Sequence, residues 1–228
     1  MNLKANHVKT LRAKLCIGIL AALLSAPAMW AGIITTPDVV TVANVNGPQF
    51  TVVDVPVSIR DRSGTPLGLD QPPGMHIQAY AIKVNYSPAS AVQSITFTRA
   101  GVTSSLTPAS ESNATSAGSI SLIDSFSEGT NPIPFTLDGA APGNQVAALH
   151  VTLSPTATPG TVITLTLDPS SLTQLSNDTG TTGETVGNSA LALVNGSITV
   201  TPSVPALGRI ALLVLAISLA FIAIRSRF

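Results

Sequence analysis

Along the middle of the chain, apolar and polar residues alternate with a period of two. In 51–60, Val53, Val55, Val57 and Ile59 fall on one side and Asp54, Ser58 and Arg60 on the other. The same pattern sets Tyr80, Ile82, Val84 and Tyr86 against Lys83, and groups Ala147, Leu149, Val151 and Leu153 on one face of 145–153. Ile163, Leu165 and Leu167 repeat it in 161–168. A period of two marks a half-buried strand, because successive side chains point to opposite faces. Further strands are predicted at 39–45, 92–98, 119–126, 133–137 and 191–200, which makes nine. One face in and one face out is the antiparallel pattern. Turn residues at Asn46-Gly47-Pro48, Pro72-Pro73-Gly74, Pro142-Gly143-Asn144 and Pro159-Gly160 punctuate the runs. Such spacing favours a sandwich or barrel over alternating helices and strands. The stretches 100–118 and 176–189 are polar, weakly periodic and read as surface loops. The expected fold is all-β, an antiparallel nine-stranded jelly-roll-like β-sandwich over 32–202.

Both ends break the pattern. Lys4, Lys9, Arg12 and Lys14 precede an apolar run from Leu15 to Leu24, which stops at Ser25-Ala26-Pro27-Ala28. Basic, apolar and small-residue regions in that order predict a secretory signal peptide over 1–31, cleaved after Ala28 or Ala31. Its apolar part, about ten residues, is too short for a bilayer core of roughly 30 Å. The single cysteine, Cys16, leaves with that segment, so the mature chain has no disulfide and relies on its core.

At the other end, 203–228 carries an uncharged run from Ile210 to Ile224, closed by Arg225 and Arg227. As a helix that run rises only about 22 Å. Counted from Val204, with Arg209 snorkelling to the interface, it just reaches across. The expectation is one C-terminal transmembrane helix, with the terminal arginines inside and the domain outside.

Charge sharpens this division. Seven of the eleven basic residues lie in the two ends, while all eleven acids lie between Asp38 and Glu184. The domain therefore carries four basic residues against eleven acids, and such a surface repels phosphate backbones, which excludes nucleic acid as a partner class. Candidate chemistry is sparse. The domain's histidines are His76 and His150, with no second ligand at metal spacing, no G-x-S-x-G elbow and no H-E-x-x-H. Asn177-Asp178-Thr179-Gly180 resembles half of a calcium loop but lacks the remaining ligands and is read as a turn. The scattered acids leave a glycosidase pair open. No cofactor or metal is expected. Aromatic platforms for sugars are not visible either: Tyr80 and Tyr86 alternate inward, and Phe50, Phe97, Phe126 and Phe135 are assigned to the core.

Four segments, in order, resemble the cohesin family. Val53-Asp54-Val55-Pro56-Val57-Ser58-Ile59 is similar to its opening strand, and Ala81-Ile82-Lys83-Val84-Asn85-Tyr86-Ser87-Pro88 to its Y-D-P strand and turn, with Ser87 where the family has Asp. Gly143 to Leu153 and Val194-Asn195-Gly196-Ser197-Ile198-Thr199-Val200 are similar to two later strands. The resemblance covers about 39–200 and implies a β-sandwich of the carbohydrate-binding superfold, acting as the receptor in a dockerin-type pairing. The tail resembles exosortase-type sorting signals of the I-P-T-L and V-P-E-P variants through Val204, Pro205, Leu207 and Gly208, followed by the apolar run and by Arg209, Arg225 and Arg227. That resemblance implies a sorting protease as a partner. The expected function is a non-catalytic, exported binding or structural module at the cell envelope or in the extracellular matrix. Its partner is a protein or a polysaccharide at the cell surface. The alternatives are a carbohydrate-binding module and, in a third class, a small hydrolase.

Overall fold

A computed structural model describes residues 36–203. The signal cleavage positions Ala28 and Ala31, the sorting residues Val204, Pro205, Leu207 and Gly208, the basic residues Arg209, Arg225 and Arg227 and the expected membrane helix lie outside the described residues. Among the described residues no helix is long and apolar enough to cross a membrane.

The domain is a β-sandwich. Its thirteen described strands are β1 (Asp38–Val42), β2 (Asn44–Pro48), β3 (Val52–Arg60), β4 (Ala79–Ser87), β5 (Val92–Arg99), β6 (Ser110–Ser116), β7 (Ser119–Ser125), β8 (Asn144–Leu153), β9 (Val162–Leu167), β10 (Gln174–Ser176), β11 (Gly183–Glu184), β12 (Leu191–Val194) and β13 (Gly196–Thr201). One sheet runs β12-β1-β3-β8-β5; the other runs β11-β10-β4-β9-β13-β2, with β7 on β4 and β6 on β7. The alternating residues Val53, Val55, Val57, Ile59, Ile82, Val84, Leu149, Val151, Ile163 and Leu165 meet between the sheets in one core.

Nine predicted strands become thirteen for identifiable reasons. The predicted 39–45 and 191–200 each change sheets partway, at Ala43 and Asn195, and so count twice. β1 pairs with β12 and β2 with β13 in parallel, which departs from a purely antiparallel sandwich. The two changeovers touch: a Cβ on Gly196 would lie 2.4 Å from the Ala43 carbonyl oxygen and 2.6 Å from that of Val42. Only glycine lets the backbones approach so closely. The Asn195 side chain accepts the Leu167 N–H at 2.9 Å and holds the bend.

Other expectations are corrected. Residues 133–137 form no strand, although Ile133 and Phe135 are buried. Their N–H groups bond locally or to side chains, Ile133 to Gln78 Oε1 and Phe135 to the Ile133 carbonyl. The loop expected at 100–118 contains β6, and that at 176–189 contains β11. Ser58, read as outward, is buried because a bulge after Val57 shifts the register. Tyr86 is only half-buried, and Phe50, assigned to the core, is 66% exposed.

The two ends of the sandwich differ. Loops 48–51, 87–91, 116–119, 154–161 and residues 201–203 gather at one end, tied by Thr201 opposite Pro48, Leu153 N–H to Thr51, Ser154 N–H to Ala91 and Gly160 N–H to Val200. None of them contains an ionisable side chain. The long loops 61–78, 126–143 and 168–190 lie at the opposite end with Asp61, Arg62, Asp70, His76, Glu128, Asp138, Asp168, Asp178 and Glu184.

Candidate functional site

Three strands of the larger sheet turn a flat face outward. β7 has the sequence Ser-Ile-Ser-Leu-Ile-Asp-Ser, and its alternation buries Ile120, Leu122 and Asp124 while leaving Ser119, Ser121, Ile123 and Ser125 outside. Register extends this into rows. Ser110, Ser125, Ala79 and Ser176 line one; Ser112, Ile123, Ala81 and Gln174 the next; Ala114, Ser121 and Lys83 the third; Ser116, Ser119 and Asn85 the fourth. Small side chains make the surface flat, and Ile123 at its centre is 48% exposed. Lys83 is the cation of the third row, and it is paired with Asp168 at 3.3 Å. The Asp168 carboxyl is lowered to about 2, first by the Ser170 hydroxyl and N–H and then by Lys83. Next to this pair, Leu172 is 51% exposed in the loop whose Thr173 hydroxyl accepts the Lys83 N–H.

β6 forms the free edge of this face and is exposed along its whole length. Glu111 anchors it through Arg99 at 2.9 Å. Beneath the face, the buried Tyr80 hydroxyl donates to Asp124 Oδ2 at 2.7 Å. Burial raises both the Tyr80 and the Asp124 pKa. The face is thus a firm platform, poor in net charge, with one aliphatic side chain at the centre and a polar edge. It has neither the concavity nor the aromatic rings that a small sugar site needs.

The smaller sheet carries a second cluster. His150 on β8 takes Asp54 Oδ1 at 2.6 Å through Nδ1 and Thr98 Oγ1 at 2.8 Å through Nε2. Acid, imidazole and hydroxyl stand in the order of an activated nucleophile. They lie across three strands of an open sheet, and β8 is hydrogen-bonded on both edges, so no free backbone donors converge there as an oxyanion hole. His76 is held in a loop by Glu128 at 2.9 Å and by the Gln71 carbonyl at 3.1 Å. Neither histidine belongs to a metal-binding group among the described residues. Asn177 begins a turn, as expected: its side chain bonds Thr179, Thr181 and the Thr182 N–H and ties the turn to Gly74.

The sequence reading missed a buried acid cluster. Asp38, Asp61 and Glu184 are fully buried. Each takes one backbone N–H from the loop after β3: Arg62 to Asp38 at 2.6 Å, Leu67 to Glu184 at 2.8 Å and Leu69 to Asp61 at 3.0 Å. Burial raises all three pKa values, and for Asp38 the adjoining Glu184 carboxyl raises it further. Asp38 Oδ2 and Glu184 Oε2 have no other partner, so a shared proton between these carboxyls satisfies both. The available signal was the alternation Asp38, Val40, Val42, which places Asp38 on the core face of β1.

No family model and no curated protein matches the chain. Solved structures do. The cohesin CaCohA2 of Clostridium acetobutylicum is 23% identical over 74% of this chain and 94% of its own, with a TM-score of 0.50. The third cohesin of ScaC from Acetivibrio cellulolyticus, solved with the ScaB dockerin, is 19% identical over 72% and 99%, with a TM-score of 0.51. The OlpC cohesin of Clostridium thermocellum, solved with a dockerin, is 12% identical over 73% and 95%, at a TM-score of 0.51. With these neighbours and its own two-sheet topology, the domain has the cohesin-like β-sandwich fold.

Proposed function

We propose that this chain is a non-catalytic, protein-binding module of cohesin-like type that presents the β6–β7–β4 face to a partner of dockerin type. The observation that carries the reading is the flat, charge-compensated face centred on Ile123. Fully burying such a side chain contributes roughly 1.5–3 kcal/mol. Export and display at the envelope belong to the same reading and are supported by the sequence at both ends: the signal pattern before Ala28 and Ala31, and the sorting pattern from Val204 to Arg227. The carbohydrate-binding alternative lacks a platform, since the one large aromatic exposed among the described residues is Phe50, alone on a turn.

The test is calorimetric titration of the chain with a panel of dockerin domains, beside a polysaccharide array. Binding to a dockerin, lost by more than tenfold in Ile123→Glu while the melting temperature holds, is the expected result. Unaltered binding by Ile123→Glu would move the site elsewhere. Binding to polysaccharide with no response to any dockerin would replace the reading with the carbohydrate one.

A further inference from the structure

The uncharged end of the sandwich has a specific tip. In the turn between β2 and β3, Phe50 adopts a φ of 63°, a left-handed conformation rare for a bulky side chain. Its neighbours are fixed: the Thr51 hydroxyl donates to the Pro48 carbonyl at 2.7 Å, and the Gln49 side-chain amide donates to the Ala157 carbonyl. The turn is therefore braced from both sides while the ring projects, 66% exposed, with Val52 also exposed one residue into β3. The turn itself, the loops 87–91, 116–119 and 154–161 and residues 201–203 carry no Asp, Glu, Lys, Arg or His, whereas the long-loop end of the same domain carries most of the eleven acids.

The described chain leaves the fold at this end. Thr201, the last residue of β13, sits opposite Pro48, two residues from Phe50. Eight residues, 202–209, then separate it from the uncharged run 210–224. Fully extended, they span at most about 29 Å. On the reading that the apolar tail holds the chain in a membrane, on which this inference rests, the short tether keeps the uncharged end close to the bilayer and raises the local concentration of Phe50 at its surface.

We propose that this end of the domain rests on the lipid surface while the tail is in place, with Phe50 and Val52 entering the interfacial layer. Three separate features agree with that occupant. Exposed Phe and aliphatic side chains bury at the headgroup/acyl boundary. The loops of the rim carry no charge, the nearest ionisable pair being Asp54 and His150 behind Val52 on the outer face of the smaller sheet, so contact of the tip costs little ionic hydration. The acidic end is directed away from the bilayer, so its carboxylates keep their hydration. Orientation follows: the face around Ile123 stands upright on the membrane and the long loops point outward.

The experiment uses the full chain, with the single tryptophan removed as Trp30→Phe, reconstituted into phosphatidylcholine vesicles containing brominated lipid. A Phe50→Trp variant is compared with Val52→Trp at the same end and Leu69→Trp in a long loop, all three being exposed positions. The expected result is a blue-shifted emission that loses most of its intensity to the brominated lipid for the first two, and an unshifted, unquenched emission for the third. Flotation with vesicles but equal quenching at all three positions would overturn this inference alone. Failure of the chain to float with the vesicles would overturn the anchor reading and this inference with it.

Discussion

At the residue scale, the most consequential groups are acids placed where acids are costly. Asp38 and Glu184 meet in the core; burial, and after it the Glu184 carboxyl, push the Asp38 pKa up to about 10, so at neutral pH the folded pair holds a proton that the unfolded chain has released. The sign follows from linkage: their contribution is complete below the ordinary values of 3.8 and 4.5 and is lost as pH rises through the raised folded ones. The buried Asp61 and Asp124 shift in the same direction and add to the trend. Stability is expected to fall steadily from about pH 5 to pH 9, by at most roughly 1.4 kcal/mol per pH unit for each proton involved. Asp38→Asn, which is neutral at every pH and can donate to Glu184, should flatten that slope. Denaturant titrations at several pH values check it, and an unchanged slope in the variant would remove the pair as the cause. The alternation of β1 and β7 already pointed Asp38 and Asp124 inward. What alternation does not carry is that a loop folded back from Arg62 to Leu69 supplies the N–H donors that make burial tolerable. Phe50 was misplaced for the opposite reason, since hydrophobicity alone assigns a ring to the core and says nothing of a left-handed turn.

At the scale of elements, the strands with one dry face were legible and the others were not. β4 and β9 announce themselves because each buries every second side chain, and β3 and β8 do so away from the bulge, where Val57–Ile59 and Val146–Leu149 are buried without a break. β6 shows no alternation because both its faces are exposed, and it exists through its pairing with β7. Conversely, 133–137 alternates and buries Ile133 and Phe135, yet its backbone partner is a glutamine side chain instead of a strand. The candidate face inherits this division: Ile123 and Lys83 could be placed outside from β7 and β4, while the outer rows supplied by β6 could not. The sheet changeovers at Ala43 and Asn195 are each a one-residue change of phase, from Val40 and Val42 to Val45 and Gly47 and from Leu191 and Leu193 to Gly196, Ile198 and Val200, and so are easily taken for one irregular strand. Gly196 is where that architecture is most exposed to test. Gly196→Ala forces a Cβ against two backbone carbonyls and is expected to cost at least about 2 kcal/mol, in the upper range of overpacking effects. Gly129→Ala, where nothing lies within 4 Å, is the matching control and should be near neutral. Equal stability of the two variants in guanidinium titration would mean that the crossing strands can separate without loss.

For the whole molecule, the arrangement is polar in the literal sense: ionisable groups at one end, an uncharged tip and the exit of the chain at the other. As a helix the fifteen uncharged residues 210–224 would make a marginal span, since that length covers about 22 Å of a core near 30 Å. On the proposed reading of the tail as a membrane stop, its terminal arginines would resist translocation and halt export, while the need for Arg209 to snorkel would make it a weak permanent anchor. Such a balance suits a stop that is later removed. The sorting pattern at Val204 and Pro205 follows directly on Thr201-Pro202-Ser203, after Thr201, the last residue of β13, so on this reading a protease would cut outside the sandwich. Cleavage there would free the uncharged end from the bilayer and release the module, with its Ile123 face intact, to the surface or the matrix. Mass spectrometry of the mature protein from its native host is therefore expected to find a C-terminus close to Pro205. An intact Phe228 on the mature protein would establish a lasting anchor, and the uncharged end would then be held at the membrane for the life of the molecule.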